Sequence, residues 1–385
     1  MRQFISELRN FFRKGDMVLL GLCVVLTLFG CLVIASTTNV YNDSRYVVIQ
    51  VGAMILGIGL YAFISSVDLE LLSEHRYAFV ILNLVLLAML IPFGVVRGGN
   101  RSWISFPFLP IDIQPAEIIK MTYILIMASV MASHQNRPSA IVSVLHIVFH
   151  FFLIVIPNMV LSSDLGVTLI FAAIFVGMAF AGGINILWFL LGSGLLALVF
   201  PVFWNVVMST EQQNRILALI DPTIDPQGLD ELWQFTLSKR SLTGGGFFGQ
   251  GLFQGTRTQT EGALFAQHTD FIFAAIGEEL GFMGCALVLV LLLLIIARCI
   301  QIGFSSQDYM RRLVCFGAAS ALLFQVMVNV GMCLGVMPVI GLTLPFVSYG
   351  GSSLVSLYAM LGLVSGVHAR PAPTSHERYI RPPLI

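Results

Sequence analysis

The chain has 385 residues, of which 57% are hydrophobic and only 10% charged, with a mean hydropathy of +0.90; an ordinary soluble domain carries about 25% charged residues. So few charges cannot cover a water-soluble fold of this size, and the composition predicts an all-α polytopic integral membrane protein. Twenty basic residues balance twenty acidic ones, which leaves no net field to draw in nucleic acid.

Ten apolar runs are expected as spans, each near the ~20 residues that cross a ~30 Å hydrocarbon core. They lie near 17–36, 47–66, 77–95, 115–133, 141–157, 165–181, 185–203, 272–297, 311–334 and 345–368. Together they make residues 1–385 a single transmembrane domain, and an even count puts both termini on one side. Arg2, Arg9, Arg13 and Lys14 precede the first run. That run is too long for a signal h-region and lacks an A-x-A site, so it reads as an uncleaved anchor. With the N-terminus inside, the cytoplasmic segments carry 12 Lys and Arg and the outer ones seven, a bias that supports an N-in, C-in arrangement.

In chain order, the first outer turn holds Arg45, and the outer segment 96–114 holds Arg97, Arg101, Trp103 and Asp112. The fourth span opens at Gln114-Pro115 and carries Glu117 and Lys120 on one face at i and i+3. Charges inside a span cost roughly 2.5–3.5 kcal/mol each on the insertion scale. Two readings stand: a mutually neutralised structural pair, or a Lys120 oriented by Glu117 toward an anionic group in a cavity. Pro157 and Ser162-Ser163-Asp164 mark a turn between two short runs. His146 and His150 have the spacing of a helical metal pair, but the glutamate of H-E-x-x-H is missing.

The longest loop, 204–271, is expected to be extracytoplasmic and, as long loops in compact proteins usually are, functional. It holds Trp233 and the run Thr243-Gly244-Gly245-Gly246-Phe247-Phe248-Gly249-Gln250-Gly251, which lacks the G-K-[ST] ending of a nucleotide-binding loop. Where this loop enters the eighth span stands Asp270. It is placed either to cap the helix or to act as a general base on a substrate whose tail lies in the bilayer. Glu278 and Glu279 follow, open to a packing or a site role. Ser348-Tyr349-Gly350-Gly351-Ser352-Ser353 reads as small residues for close helix packing, and the six cysteines as buried apolar side chains without a disulfide framework.

The stretch from Asn329-Val330-Gly331 through Pro345-Phe346-Val347-Ser348-Tyr349-Gly350-Gly351-Ser352-Ser353 resembles the signature of the shape, elongation, division and sporulation family. Gln114-Pro115-Ala116-Glu117 with Lys120, Arg215-Ile216 with Asp221-Pro222, Trp233-Gln234, His268-Thr269-Asp270-Phe271-Ile272-Phe273 and Gly277-Glu278-Glu279-Leu280-Gly281 match as well, in order, over nearly the whole chain. Departures are small: Ala116, Ser163 and Thr243 stand where serine, proline and glycine are frequent. The short tails are more similar to the elongation members, such as RodA, than to the division members, such as FtsW; a sporulation paralogue would look much the same.

The resemblance implies a peptidoglycan glycosyltransferase that polymerises lipid II at the outer face of the bacterial cytoplasmic membrane, beside a class B penicillin-binding protein. It implies that Asp270 is the essential aspartate and that Arg45, Trp103, Glu117 and Lys120 surround the central cavity. No cofactor is fixed by these residues; a divalent cation, Mg or Mn, is compatible with a pyrophosphate leaving group. A lipid II flippase is the competing expectation, and a docking scaffold for the transpeptidase a third.

Overall fold

The computed structural model describes residues 15–97, 100–105, 112–221, 225 and 232–370; the basic residues at 2, 9, 13, 14, 378 and 381 lie outside these. Helices form at all ten apolar runs. They are α1 (Met17–Thr38), α2 (Arg45–Ser66), α3 (Arg76–Phe93), α4 (Pro115–Ser133), α5 (Ile141–Ser162), α6 (Leu165–Ala181), α7 (Ile186–Val202), then α8 (Thr210–Ile220) and α9 (Trp233–Gly245) within the long loop, and finally α10 (Ile272–Ser305), α11 (Tyr309–Leu334) and α12 (Gly351–Ala369). Nine of these are long and apolar enough to cross a membrane, and α6, at 17 residues, is a shorter apolar helix.

Local chemistry sets the helix ends. The Asp16 side chain accepts from Leu19 N at 2.9 Å to cap α1, and Pro115 occupies the first turn of α4, where no backbone donor is lost. Between α5 and α6, Ser163 takes a left-handed conformation (φ 56°) and Asp164 caps α6 through Val167 N. Gly335 (φ 72°) ends α11 in the left-handed conformation that costs glycine least.

Four boundaries differ from expectation, the fifth span being one: its helix passes through Pro157 and ends at Ser162. The third span stops at Phe93, because Gly94–Arg97 (β1) and Asn100–Ile104 (β2) pair as an antiparallel hairpin with Val95 opposite Trp103. The eighth span, α10, runs on to Ser305 and is broken at Gly281 (φ 66°, ψ −164°). The last span begins at Gly351 rather than 345, because residues 335–350 follow an irregular path through left-handed Gly341 and Phe346.

Burial sorts the helices into a shell and a centre. The apolar windows of α4 and α12 are 78% buried and that of α7 not at all; α7 packs appreciably only against the 203–207 stretch that follows it. The less apolar helices are therefore the central ones, as expected where lipid is as apolar as leucine and hydropathy reports exposure. The most extensive helix pair is α2 with α12. Gly57 faces the ring of Tyr358, and a Cβ at Gly362 would lie 2.9 Å from the backbone oxygen of Tyr61. Gly362→Val should therefore push two helix backbones apart at a cost of about 1–3 kcal/mol, measured as a lower melting temperature in detergent, with Gly52→Val, which meets open space, unchanged.

Candidate active site

Asp270 stands two residues before α10. The helix cap is Phe271, without a side-chain capping bond, and the Asp270 carboxylate makes no hydrogen bond to a described residue, so the capping reading fails. What it faces is Gly341: the nearest atom to a Cβ built at that glycine is Asp270 Oδ2, at 3.6 Å. Burial, and after it the nearby charge of Asp164, push the Asp270 carboxyl up to about 6, a direction set by loss of hydration of the charged form. An acid poised near neutrality with free oxygens is equipped to accept a proton.

Asp164 was passed over in the sequence as a turn marker. Its Oδ1 caps α6 and its Oδ2 accepts from Ser102 Oγ at 3.1 Å. Desolvation raises its carboxyl, these hydrogen bonds oppose the rise, and the charge of Glu117 adds to it. The two carboxylates thus sense each other although 106 positions separate them in sequence. The sequence signal for Asp164 is its place directly after Ser163, where the resembling family frequently has proline.

Glu117 and Lys120 lie behind Asp164 on the first turns of α4. Their side chains are 7% and 4% exposed, and Lys120 Nζ sits 2.8 Å from Glu117 Oε2. An ammonium has three donors, and among the described residues Glu117 is its only partner. The remaining N–H groups face no acceptor among the described residues. The pair is thus mutually neutralised, as the first of the two readings has it.

Trp103 stands half-buried on β2 beside Ser102, so the hairpin that carries it rests on Asp164. Arg45 is the first residue of α2; its side chain is 85% exposed and bonds Asp43 at 3.1 Å. Its neighbour Tyr46 packs on His268 with ring centroids 4.8 Å apart. The charge of Glu117 acts on Asp164, and that of Asp164 on Asp270.

Other sequence features take structural roles. Glu279 accepts from Ser36 Oγ, Thr258 Oγ1 and Gln259 Nε2 at 2.6–3.2 Å, and Glu278 from Arg257 N at 2.6 Å, so both carboxylates hold the loop after the glycine run. That run has glycines because backbone meets backbone: a Cβ at Gly245 would lie 1.8 Å from Gly277 O, and one at Gly249 2.2 Å from Glu279 O. Ser348 Oγ donates to Thr269 O at 2.6 Å and accepts from Leu344 N at 2.8 Å, which engages it fully as a structural hydroxyl. His146 bonds His134 at 2.8 Å, and the cysteines are buried and free. Among the described residues no three His, Cys, Asp or Glu are grouped to hold a metal ion.

Comparison with known proteins fits this arrangement. The family described as cell cycle protein, comprising FtsW, RodA and SpoVE, matches residues 16–372, and the chain belongs to it: a family of polytopic membrane proteins. Among individual relatives, it is 33% identical to the probable peptidoglycan glycosyltransferase FtsW of Trichlorobacter lovleyi over 95% of this chain and 98% of that one. It is 30% identical to the peptidoglycan glycosyltransferase MrdB of Escherichia coli, over 92% and 93%, and 33% identical to the stage V sporulation protein E of Bacillus subtilis, over 91% and 96%. Of solved structures, it resembles a chain of a peptidoglycan synthase complex that coordinates polymerization and crosslinking (TM-score 0.77, 30% identity, 92% and 97% covered). It also resembles the rod shape determining protein RodA of Thermus thermophilus (TM-score 0.68, 28% identity, 93% and 98% covered).

Removing one member of the buried pair should cost more than removing both. Lys120→Met leaves Glu117 uncompensated, an effect of about 3–5 kcal/mol, whereas Glu117→Gln with Lys120→Met should recover most of it. Thermal melts of the purified variants read the difference, and a double mutant no more stable than Lys120→Met would contradict mutual neutralisation.

Proposed function

We propose that this chain polymerises lipid II into glycan strands at the outer face of the bacterial cytoplasmic membrane, with Asp270 as general base. Membership in a family whose curated relatives are named peptidoglycan glycosyltransferases supports the enzyme class. The observation that carries the catalytic assignment is the Asp270 carboxylate itself: without a hydrogen bond to a described residue, facing Gly341, and raised toward neutrality.

In this reading the 4-hydroxyl of one N-acetylglucosamine attacks the anomeric carbon of the growing chain's terminal N-acetylmuramic acid. The new C–O bond forms as the bond to the lipid pyrophosphate breaks, the hydroxyl proton passes to Asp270, and the pyrophosphate departs with the electron pair. General-base help of this kind contributes about 10²–10⁴-fold. Lys120, aimed by Glu117, offsets the charge building on the leaving group through its unspent N–H donors, a stabilisation that is often the largest single one in such reactions. Exposed Arg45 meets the same anionic headgroups as they arrive.

The bias of basic residues toward the side of the termini supports an N-in, C-in orientation and an outward-facing site. A class B penicillin-binding protein is the expected transpeptidase partner, in keeping with the synthase complex among the structural relatives. A flippase would carry its charged groups near the bilayer midplane, and here Asp164 and Asp270 sit at helix starts, which favours synthesis over transport.

Two outcomes are expected. Asp270→Asn should abolish glycan formation from lipid II on gels, with folding and partner binding kept; retained polymerisation would refute the base assignment. In the wild type, protonation removes the base, so the rate should fall about tenfold per pH unit below about 6 and level off above it; a rate rising on acidification would point to Asp270 acting as an acid.

A further inference from the structure

Three successive carbonyls lead into the Asp270 carboxylate and α10, and each is gripped by a different group of the 329–349 region. Tyr349 N donates to His268 O at 2.8 Å, Ser348 Oγ to Thr269 O at 2.6 Å, and Asn329 Nδ2 to Asp270 O at 2.9 Å. The same Asn329 Nδ2 also donates to Leu342 O at 2.7 Å, so one fully buried amide ties the Asp270 backbone to the segment that presents Gly341. Cys333, one turn further along α11, approaches Asp270 O at 3.8 Å.

The far side of that segment is fixed too. A Cβ at Gly166 would meet Ile340 and Leu342 side chains at 2.9 Å, so residues 340–342 are wedged between the start of α6, where Asp164 stands, and Asp270. Gln50 of α2, itself buried, closes the outer end by donating to Ser348 O at 3.0 Å and accepting from Gly350 N at 3.2 Å. None of these groups bonds the carboxylate; all of them fix the backbone that carries it.

We propose that Asn329 and Ser348 are positioning residues for the glycosyl transfer, holding the 268–270 backbone so that the Asp270 carboxylate stays packed on Gly341 beside Asp164. The inference rests on the reading of Asp270 as the base. Its physical content is geometric: a general base must lie within about 2.6–3.2 Å of the proton it takes, and a displacement of about 1 Å can cost on the order of 10²-fold in rate. The titratable groups that face Asp270 are Asp164 from α6 and Cys333 from α11, with Glu117 and Lys120 behind Asp164 and His268 on its own segment. A carboxylate freed from this enclosure gains water and moves away from Asp164, and both changes lower its proton affinity.

The test uses the full-length chain purified with its transpeptidase partner, steady-state polymerisation of lipid II from pH 4.5 to 8, and a melting curve for each variant. Asn329→Leu should lower kcat about 10–100-fold with KM for lipid II within twofold, and shift the midpoint of the acidic limb down by about one pH unit or more. Ser348→Ala, the milder change, should shift the limb in the same direction by less, and it carries the test if Asn329→Leu does not fold. Asn329→Gln, which keeps the donor, should restore part of kcat and return the limb toward the wild-type midpoint. A fall in kcat with the limb unmoved would reduce both residues to structural supports and overturn the proposal, as would wild-type kinetics in folded variants. Asp270→Asn, run alongside, separates the two ideas: if it polymerises, the base assignment itself has failed, and if it is inactive while Asn329→Leu and Ser348→Ala behave as wild type, only the positioning role has.

Discussion

Backbone that is not helical must still satisfy its N–H and C=O groups when it lies among membrane helices, since hydrocarbon supplies no partner. That constraint organises this protein. Two irregular stretches, the glycine-rich run with the loop after it and residues 335–350, are each held by buried polar side chains from neighbouring helices. Glu278 and Glu279 serve the first, together with the break at Gly281, whose displaced amides are taken up when Phe282 N and Met283 N donate to Gly246 O and Phe247 O. Asn329 and Gln50 serve the second. Glu278, Asn329 and Gln50, which would be liabilities in lipid, are here the partners of loop carbonyls or amides.

The same constraint explains where the chemistry sits. A carboxylate such as Asp270 keeps its oxygens free only if other groups fix its backbone, because a carboxylate that fixed itself by capping α10 would be spent. The 329–349 region takes over that task and leaves the side chain unbonded beside Asp164. Phe346, buried in a left-handed conformation that non-glycine residues rarely adopt, shows how closely this segment is constrained. Glycines enter where backbones touch: Gly30 of α1 presses on Val347, with a Cβ there only 2.7 Å from its oxygen. Lys120 and Glu117 obey a complementary rule, in which two charges neutralise one another.

Much of this was legible beforehand for definite reasons. Apolar runs report spans because helix length is tied to bilayer thickness, and all ten runs became helices. Glu117, Lys120 and Asp270 stood out because charge in an apolar stretch is costly. The misplaced span ends have equally physical origins: Val95 and Val96 extend an apolar run without continuing its helix, because β-branched residues pair as readily across a hairpin. Likewise Pro345 through Val347 is apolar but turns on a left-handed Phe346. Asp164 stayed hidden because a capping aspartate and a site aspartate look alike in one dimension.

The sequence by itself determined that this chain lives in a bilayer, where its apolar helices lie, and which family it resembles, since those properties depend on composition, run length and local motif. Only the tertiary structure decided which acidic residues share an environment and which polar ones merely hold loops. Glu278 and Asp270 are eight residues apart, yet one is bonded to a neighbouring loop and the other is left free. Asp164 and Asp270 are far apart in the chain and sense each other's charge. Proton affinity and hydrogen-bond partnership are set by what surrounds a group in space, and in this fold the surroundings of Asp270 come from α6, α11 and the segment before α12.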